Sequence, residues 1–252
     1  MSAAPKPLWI FIHLPKSGGT TLKRHLANHL APDEEVVEFS AQGGARRLAQ
    51  GAIPFAARPL EQRQLARALV GHNVFRGIDR LVPGREARYL TFVREPAELC
   101  VSLYNFRRSR GQADADFERW YADHYLPRHR HLVVGFYAES LVNRPVHEAP
   151  ERLLAMATEL IEGCWLSGTT DELANGMAIL SEEMGIPADW RDYNVTQDKP
   201  DGAPDADAIR RHIVLDDALR ARIHADCPAD ASLYEWVRAR GLRHGLRAAG
   251  PA

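Results

Sequence analysis

Between residues 8 and 30 the chain reads LWIFIHLPKSGGTTLKRHLANHL, and this stretch restricts the possible folds more than any other. Residues 8–14 are almost continuously apolar and rich in isoleucine and aromatics, the pattern of a parallel strand buried on both faces. Pro15 stops the run, and Gly18 and Gly19 mark a tight loop. Leu22, Leu26 and Leu30 then recur at i, i+4 and i+8, on one face of a helix over 20–30. A strand, a glycine turn and a helix N-terminus in that order make an anion site. The first-turn amides have no acceptor within the helix, and the helix dipole favours negative charge there. The expected donors are the amides of Gly18, Gly19, Thr20 and Thr21, with the two threonine hydroxyls. Lys16 adds a full positive charge.

The rest of the chain alternates strands and helices. A second buried strand is expected over 88–93 (RYLTFV), ending at Arg94. Pro96 fits the first position of the next helix, where its missing N–H costs nothing; Leu99, Ser102, Leu103 and Phe106 follow at helical spacing. Shorter strands are expected at 36–39 and 164–167, and a strand end at 70–71 leads into His72. Helices are expected over 60–69, 116–124, 150–162, 171–184, 209–225 and 232–240, while 132–141 fits more than one state. Residues 198–207 (DKPDGAPDAD) read as a polar loop, and RARGLRHGLR near the end as a frayed basic helix. No internal repeat is visible. The alternation implies an α/β sandwich on a mostly parallel sheet. We read residues 1–252 as one domain, with a disordered tail of about ten residues.

Bulk properties narrow the function classes. A chain of 252 residues buries roughly 70–75% of its unfolded surface and needs no metal or disulfide to hold a core. The formal net charge of −1 gives no footprint for bulk nucleic-acid binding, so any anion site is local. Cys100, Cys164 and Cys227 are far apart with no CxxC or Cys/His cluster, which argues against a disulfide framework and a zinc site and fits a reducing compartment. No segment approaches about 18 consecutive apolar residues, and the N-terminus lacks a signal-peptide layout. The expectation is a cytoplasmic protein without a membrane span, its oligomeric state open.

The order of residues in the loop says which phosphate compound fits. Nucleoside-triphosphate loops read GxxxxGK[ST], with the Ser/Thr on magnesium, and PKSGGTT has no GK[ST]. Such enzymes also carry an Asp at the end of a neighbouring strand for the metal, whereas RYLTFV ends in Arg94. A basic residue there suits a second phosphate better than a magnesium ion.

These residues resemble a known family. HLPKSGGTTL looks like the 5′-phosphosulfate loop of sulfotransferases that use 3′-phosphoadenosine 5′-phosphosulfate (PAPS). TFVREPAELCVSLYNF resembles their 3′-phosphate segment, a strand-end Arg followed eight residues later by a helical Ser, here Arg94 and Ser102. GHNVF is similar to the segment carrying the acceptor-activating histidine in carbohydrate sulfotransferases of the heparan sulfate 2-O type and their bacterial relatives. WLSGTTDELANGMAILSEEMGIP and DASLYEWVRARG resemble later segments of the same group. The chain departs from the family at Glu95, where Asp is common, and at Leu99, where Arg is common. The resemblance implies a P-loop-like three-layer α/β sandwich, a central, mostly parallel sheet flanked by helices. It also implies transfer of the PAPS sulfuryl group to a hydroxyl of a saccharide or a glycosylated or small molecule.

On that reading Lys16 stabilises the leaving group, His72 is the base, and Arg94 and Ser102 hold the 3′-phosphate. Lys16, Ser17, Gly18, Gly19, Thr20 and Thr21 form the cofactor loop. His13 is read as a brace, and His129 and His131 as residues that line an acceptor cleft or stand solvated. Arg107, Arg108 and Arg110 are read as a solvated face. His25 and His29 are one helical turn apart but show no third ligand in the sequence, so no metal is expected. Residues 42–59 and 112–145, with Trp120, Tyr121 and Tyr125, are the acceptor-pocket candidates. Two other functions stay open, an atypical nucleotide-dependent kinase and a non-catalytic nucleotide-binding protein.

Overall fold

The computed structural model describes residues 6–40, 48–113, 116–191 and 213–245. The expected loop at 198–207 and the first part of the 209–225 helix lie outside these residues. So does part of the 42–59 acceptor segment. The fold is a six-stranded sheet in the order β2-β3-β1-β4-β5-β6, formed by β1 (Leu8–Ile12), β2 (Val36–Glu38), β3 (Ala68–Gly71), β4 (Ala87–Val93), β5 (Leu166–Thr169) and β6 (Arg243–His244). All neighbours are parallel except β5 and β6. The expected α/β architecture, a mostly parallel sheet flanked by helices, is the one observed.

Side chains alternate across the sheet into two core layers. Leu8, Ile10 and Ile12 of β1 face one layer, together with Leu69 of β3 and Tyr89 of β4. The helices α7 (Leu132–Val142), α8 (Pro150–Glu162) and α11 (Pro228–Arg240) cover that side. Trp9 and Phe11 face the other layer, where Leu22 and Leu26 of α1 (Gly19–His29) meet Met177 and Leu180 of α9 (Leu173–Met184). Each such leucine, 0–1% exposed, contributes roughly 1.5–3 kcal/mol by leaving water. A third cluster joins Cys100 and Tyr104 of α4 (Pro96–Arg108) to Phe117, Trp120, Tyr121, Tyr125 and Ile223.

Several expectations need correction. The helix expected over 60–69 is only Leu60–Arg63. Its outer leucines, Leu60 and Leu65, are exposed, while Ala68, Leu69 and Val70 are buried in β3. A doubly buried parallel strand reads as an apolar run, and that run imitated the end of a helix. The strand expected at 164–167 begins later, at Leu166. The basic C-terminal helix stops at Arg240, Gly241 takes a positive φ of 63°, and Arg243–His244 pairs antiparallel with β5. Residues 132–141 fall in α7. Trp120, Tyr121 and Tyr125 are all buried, at 1–3% exposure, and Trp120 also borders a cleft together with Arg107, Gln112, His124 and Arg128. Outside the helix 117–120, residues 121–125 form a π-helical turn.

Strand order fixes where a ligand can sit. Strand β1 lies between β3 and β4, so the chain leaves it first to one side and later to the other. In open α/β sheets the crevice beyond the carboxyl ends at such a switch point is the binding site. The three segments that leave those ends begin at His13, His72 and Arg94.

Candidate functional site

The loop after β1 owes its shape to two glycines and one strained lysine. Gly18 is the N-cap of α1 at φ 78°, and a Cβ there would fall 2.3 Å from Leu173 Cδ2. At Gly19 an added Cβ would lie 1.9 Å from His13 Nε2, so the imidazole ring occupies the side-chain space. Lys16 itself has φ 65°, a left-handed conformation costing an L-residue about 1–2 kcal/mol. Ser17 is fully buried, and its hydroxyl donates to the Leu14 carbonyl at 2.5 Å. Its side chain therefore braces the loop from within. Thr21 is buried and Thr20 half-buried at the start of α1, whose first turn carries no acidic residue.

Cations gather at this helix start. Arg94 Nη1 donates to the Lys16 carbonyl at 2.6 Å, tying the β4 end to the β1 loop. Its Nε lies 3.6 Å from Glu98 and is buried without a hydrogen-bond acceptor among the described residues. The Lys16 ammonium lies 4.4 Å from the centre of the Phe106 ring, and the Arg110 guanidinium covers the same ring at 4.3 Å. Burial first, then Arg94 and Arg110, pulls the Lys16 ammonium below its usual range. An anion placed here would relieve that repulsion.

Ser102 is located by helix periodicity. Glu98, Ser102 and Phe106 recur every four residues and share one face of α4. Glu98 faces Arg94 and Phe106 faces Lys16. Ser102 therefore stands between them, on the face turned toward the loop.

His72 reaches the same place through strand register. Ile12 pairs with Gly71, so the next residues, His13 and His72, stand side by side, ring centroids 4.3 Å apart. His72 Nδ1 is 2.8 Å from the His13 carbonyl. A carbonyl only accepts, so Nδ1 carries the proton and Nε2 of the neutral ring holds the lone pair. His13 stacks on Phe11 at 5.2 Å, and burial, then His72, holds it well below the usual imidazole range. Its reading as a brace fits this packing.

The remaining candidates fall elsewhere. Arg108 donates to the Tyr104 hydroxyl at 2.9 Å and is an internal contact. Arg107 lies 3.4 Å from His129, whose pKa burial and Arg107 lower to about 4. Arg107 also opens onto a cleft of about 510 Å³ with Gln112, His124 and Arg128. His25 and His29 do have a third partner, Asp189, which the sequence did not reveal.

No protein-family profile matches this chain, and no curated protein sequence matches it. Among solved structures it is similar to a sulfotransferase from Alicyclobacillus acidocaldarius. That likeness has 14% identity, covers 96% of this chain and 97% of the other, and has a TM-score of 0.45. Strand order and site geometry, not this likeness, carry the reading below.

Sequence reasoning missed two residues of this region. Phe106, which holds Lys16, lies one turn beyond Ser102, and that spacing was visible. Glu95 is buried and caps α4 through the amides of Ala97 (3.1 Å) and Glu98 (2.8 Å). It also binds His224 and pairs with Arg220 at 2.6 Å, both on α10 (Asp217–Asp226). An acidic residue just before Pro96 is a helix-start signal, but its distant partners were not legible. Leu99, where the family often has Arg, is buried in the core.

Proposed function

We propose that this chain is a PAPS-dependent sulfotransferase acting on a hydroxyl acceptor. One observation carries the reading. Three adjacent parallel strands, β1, β3 and β4, deliver Lys16, His72 and Arg94 to one crevice, and the helix start there presents amides and cations with no acidic residue in its first turn. That combination fits a nucleotide with two separated anionic ends, one on the glycine loop and one near Arg94 and Ser102.

In the proposed reaction the acceptor oxygen attacks sulfur in line with the bridging oxygen. A new S–O bond forms as the bond to the 5′-phosphate breaks, and adenosine 3′,5′-bisphosphate leaves. The negative charge developing on the bridging oxygen falls beside the Lys16 ammonium and the first-turn amides, where fixed donors lower the barrier. The acceptor's proton passes to Nε2 of His72, the nitrogen left with the lone pair by the Nδ1 bond to His13. Arg94 orients Lys16 through its carbonyl and supplies positive charge for the second phosphate. Arg107, Gln112, Trp120, His124 and Arg128, which line one cleft, suit a polar or anionic acceptor such as a saccharide.

The test compares nucleotides by thermal shift and calorimetry. Adenosine 3′,5′-bisphosphate without metal is expected to bind and raise the melting temperature. Stabilisation by ATP–magnesium alone would sink the reading in favour of a kinase.

A further inference from the structure

We propose that His25, His29 and Asp189 form a binding site for a divalent transition-metal ion of the zinc class. The site lies at the far end of α1 from the nucleotide loop and does not depend on the proposed function. His25 and His29 are one turn apart on the helix, and Asp189 follows α9 on the chain that passes beside it. His29 Nε2 is 2.6 Å from Asp189 Oδ1, and His25 Nδ1 is 3.7 Å from the same oxygen. All three donor atoms lie within 4.8 Å of one another. Donors on a tetrahedral zinc, at bonds of about 2.0–2.1 Å, stand roughly 3.3 Å apart. The observed spacings bracket that value, so small side-chain movements bring all three onto one ion.

A simple histidine–aspartate pair does not account for His25. Its side chain is fully buried, yet Nδ1 has no hydrogen-bond partner among the described residues. The other ring nitrogen, Nε2, is 2.8 Å from the Ser181 hydroxyl. With Nε2 donating to Ser181, Nδ1 carries a lone pair, 3.7 Å from Asp189 Oδ1. Outer hydrogen bonds of this kind fix the ring and tautomer of metal-ligating histidines. The edge of Trp190 closes one side of the His25 ring, with centroids 5.7 Å apart. The C-terminal end of a helix also favours a cation.

Two imidazoles and one carboxylate suit zinc or a similar ion better than calcium or magnesium, which prefer oxygen donors. Three protein ligands leave a fourth position for water. The bound ion would clamp the last turns of α1 to the segment after α9.

The test uses the full untagged chain, stripped with a chelator and then titrated with zinc chloride and, separately, cobalt chloride. One equivalent of zinc is expected to bind at micromolar affinity or tighter and to raise the melting temperature. Cobalt is expected to give the intense visible absorption of a four-coordinate site. His29→Gln and Asp189→Asn each remove a ligand outside the core and are expected to weaken binding at least ~10-fold, with unchanged circular dichroism. Absence of saturable binding in the wild-type chain overturns the proposal. Equal affinity in both variants does the same, because the ion would then sit on other histidines.

Discussion

The two ends of α1 have opposite chemistry. At its N-terminal end the first turn has no acidic residue, and Lys16, Arg94 and Arg110 gather around Phe106 and the loop. At its C-terminal end two imidazoles face one carboxylate, and no lysine or arginine is among the three. The helix dipole has the same sense, favouring anions at the first end and cations at the second. One eleven-residue helix therefore separates the proposed phosphate site from the proposed metal site. The side chains supplied by other elements set the chemistry of each end: β3 and β4 at one end, the segment after α9 at the other.

The contrast can be broken at the anion end first. If His72 is the base, His72→Gln is expected to lower the turnover of sulfuryl transfer about 10²- to 10⁴-fold. Binding of adenosine 3′,5′-bisphosphate should be unchanged. Undiminished turnover in that variant places the base elsewhere.

Gly19→Ala sharpens the comparison by an intermediate amount. Its Cβ must displace the His13 ring, an overpacking cost of about 1–3 kcal/mol. Both melting temperature and nucleotide affinity should fall, while zinc affinity at the other end should not. A fully stable Gly19→Ala with native affinity would mean that the ring and loop rearrange freely.

The smallest expected effect is on pH dependence. His13 is held well below its ordinary value by burial. The unfolded chain takes up a proton near pH 6.5, which the folded ring resists, so stability present above that pH is lost as pH falls below it. His25 and His129 act in the same sense. Asp230 opposes them. It is buried and accepts from the amides of Val133 (3.0 Å) and Val134 (2.9 Å), and burial raises it to about 7. Its folded form holds a proton more tightly than the unfolded chain, so its share of stability is lost as pH rises from about 4 toward 7. In an Asp230→Asn background, urea midpoints should therefore fall between pH 7 and pH 5. A midpoint that is flat or rises on acidification contradicts the buried, neutral histidines.

How much of this was legible in the sequence differs from element to element. The loop of 8–30 was readable because strand, turn and helix are adjacent, so local pattern and global position coincide. The same holds for Arg94 and Pro96. Only the end of Ala68–Gly71 was legible, because its apolar start continued the apparent periodicity of Leu60 and Leu65. The tautomer of His72 depends on a carbonyl 59 residues away, and Asp189 lies 160 residues from His29. Contacts of that range leave no local pattern. The aromatic residues at 117–125 showed their size and not their partners, so their packing into one cluster with α4 and α10 was not legible.

The proposed reaction requires a crevice that holds two separated phosphates. Calorimetric titration of adenosine 3′,5′-bisphosphate and of adenosine 5′-monophosphate into the metal-free chain tests this directly. The bisphosphate is expected to bind at least ~10-fold more tightly, the equivalent of about one charge-assisted contact, and Arg94→Ala should erase most of the difference. Equal affinities for the two nucleotides would contradict the assignment of Arg94 and Ser102 to a second phosphate.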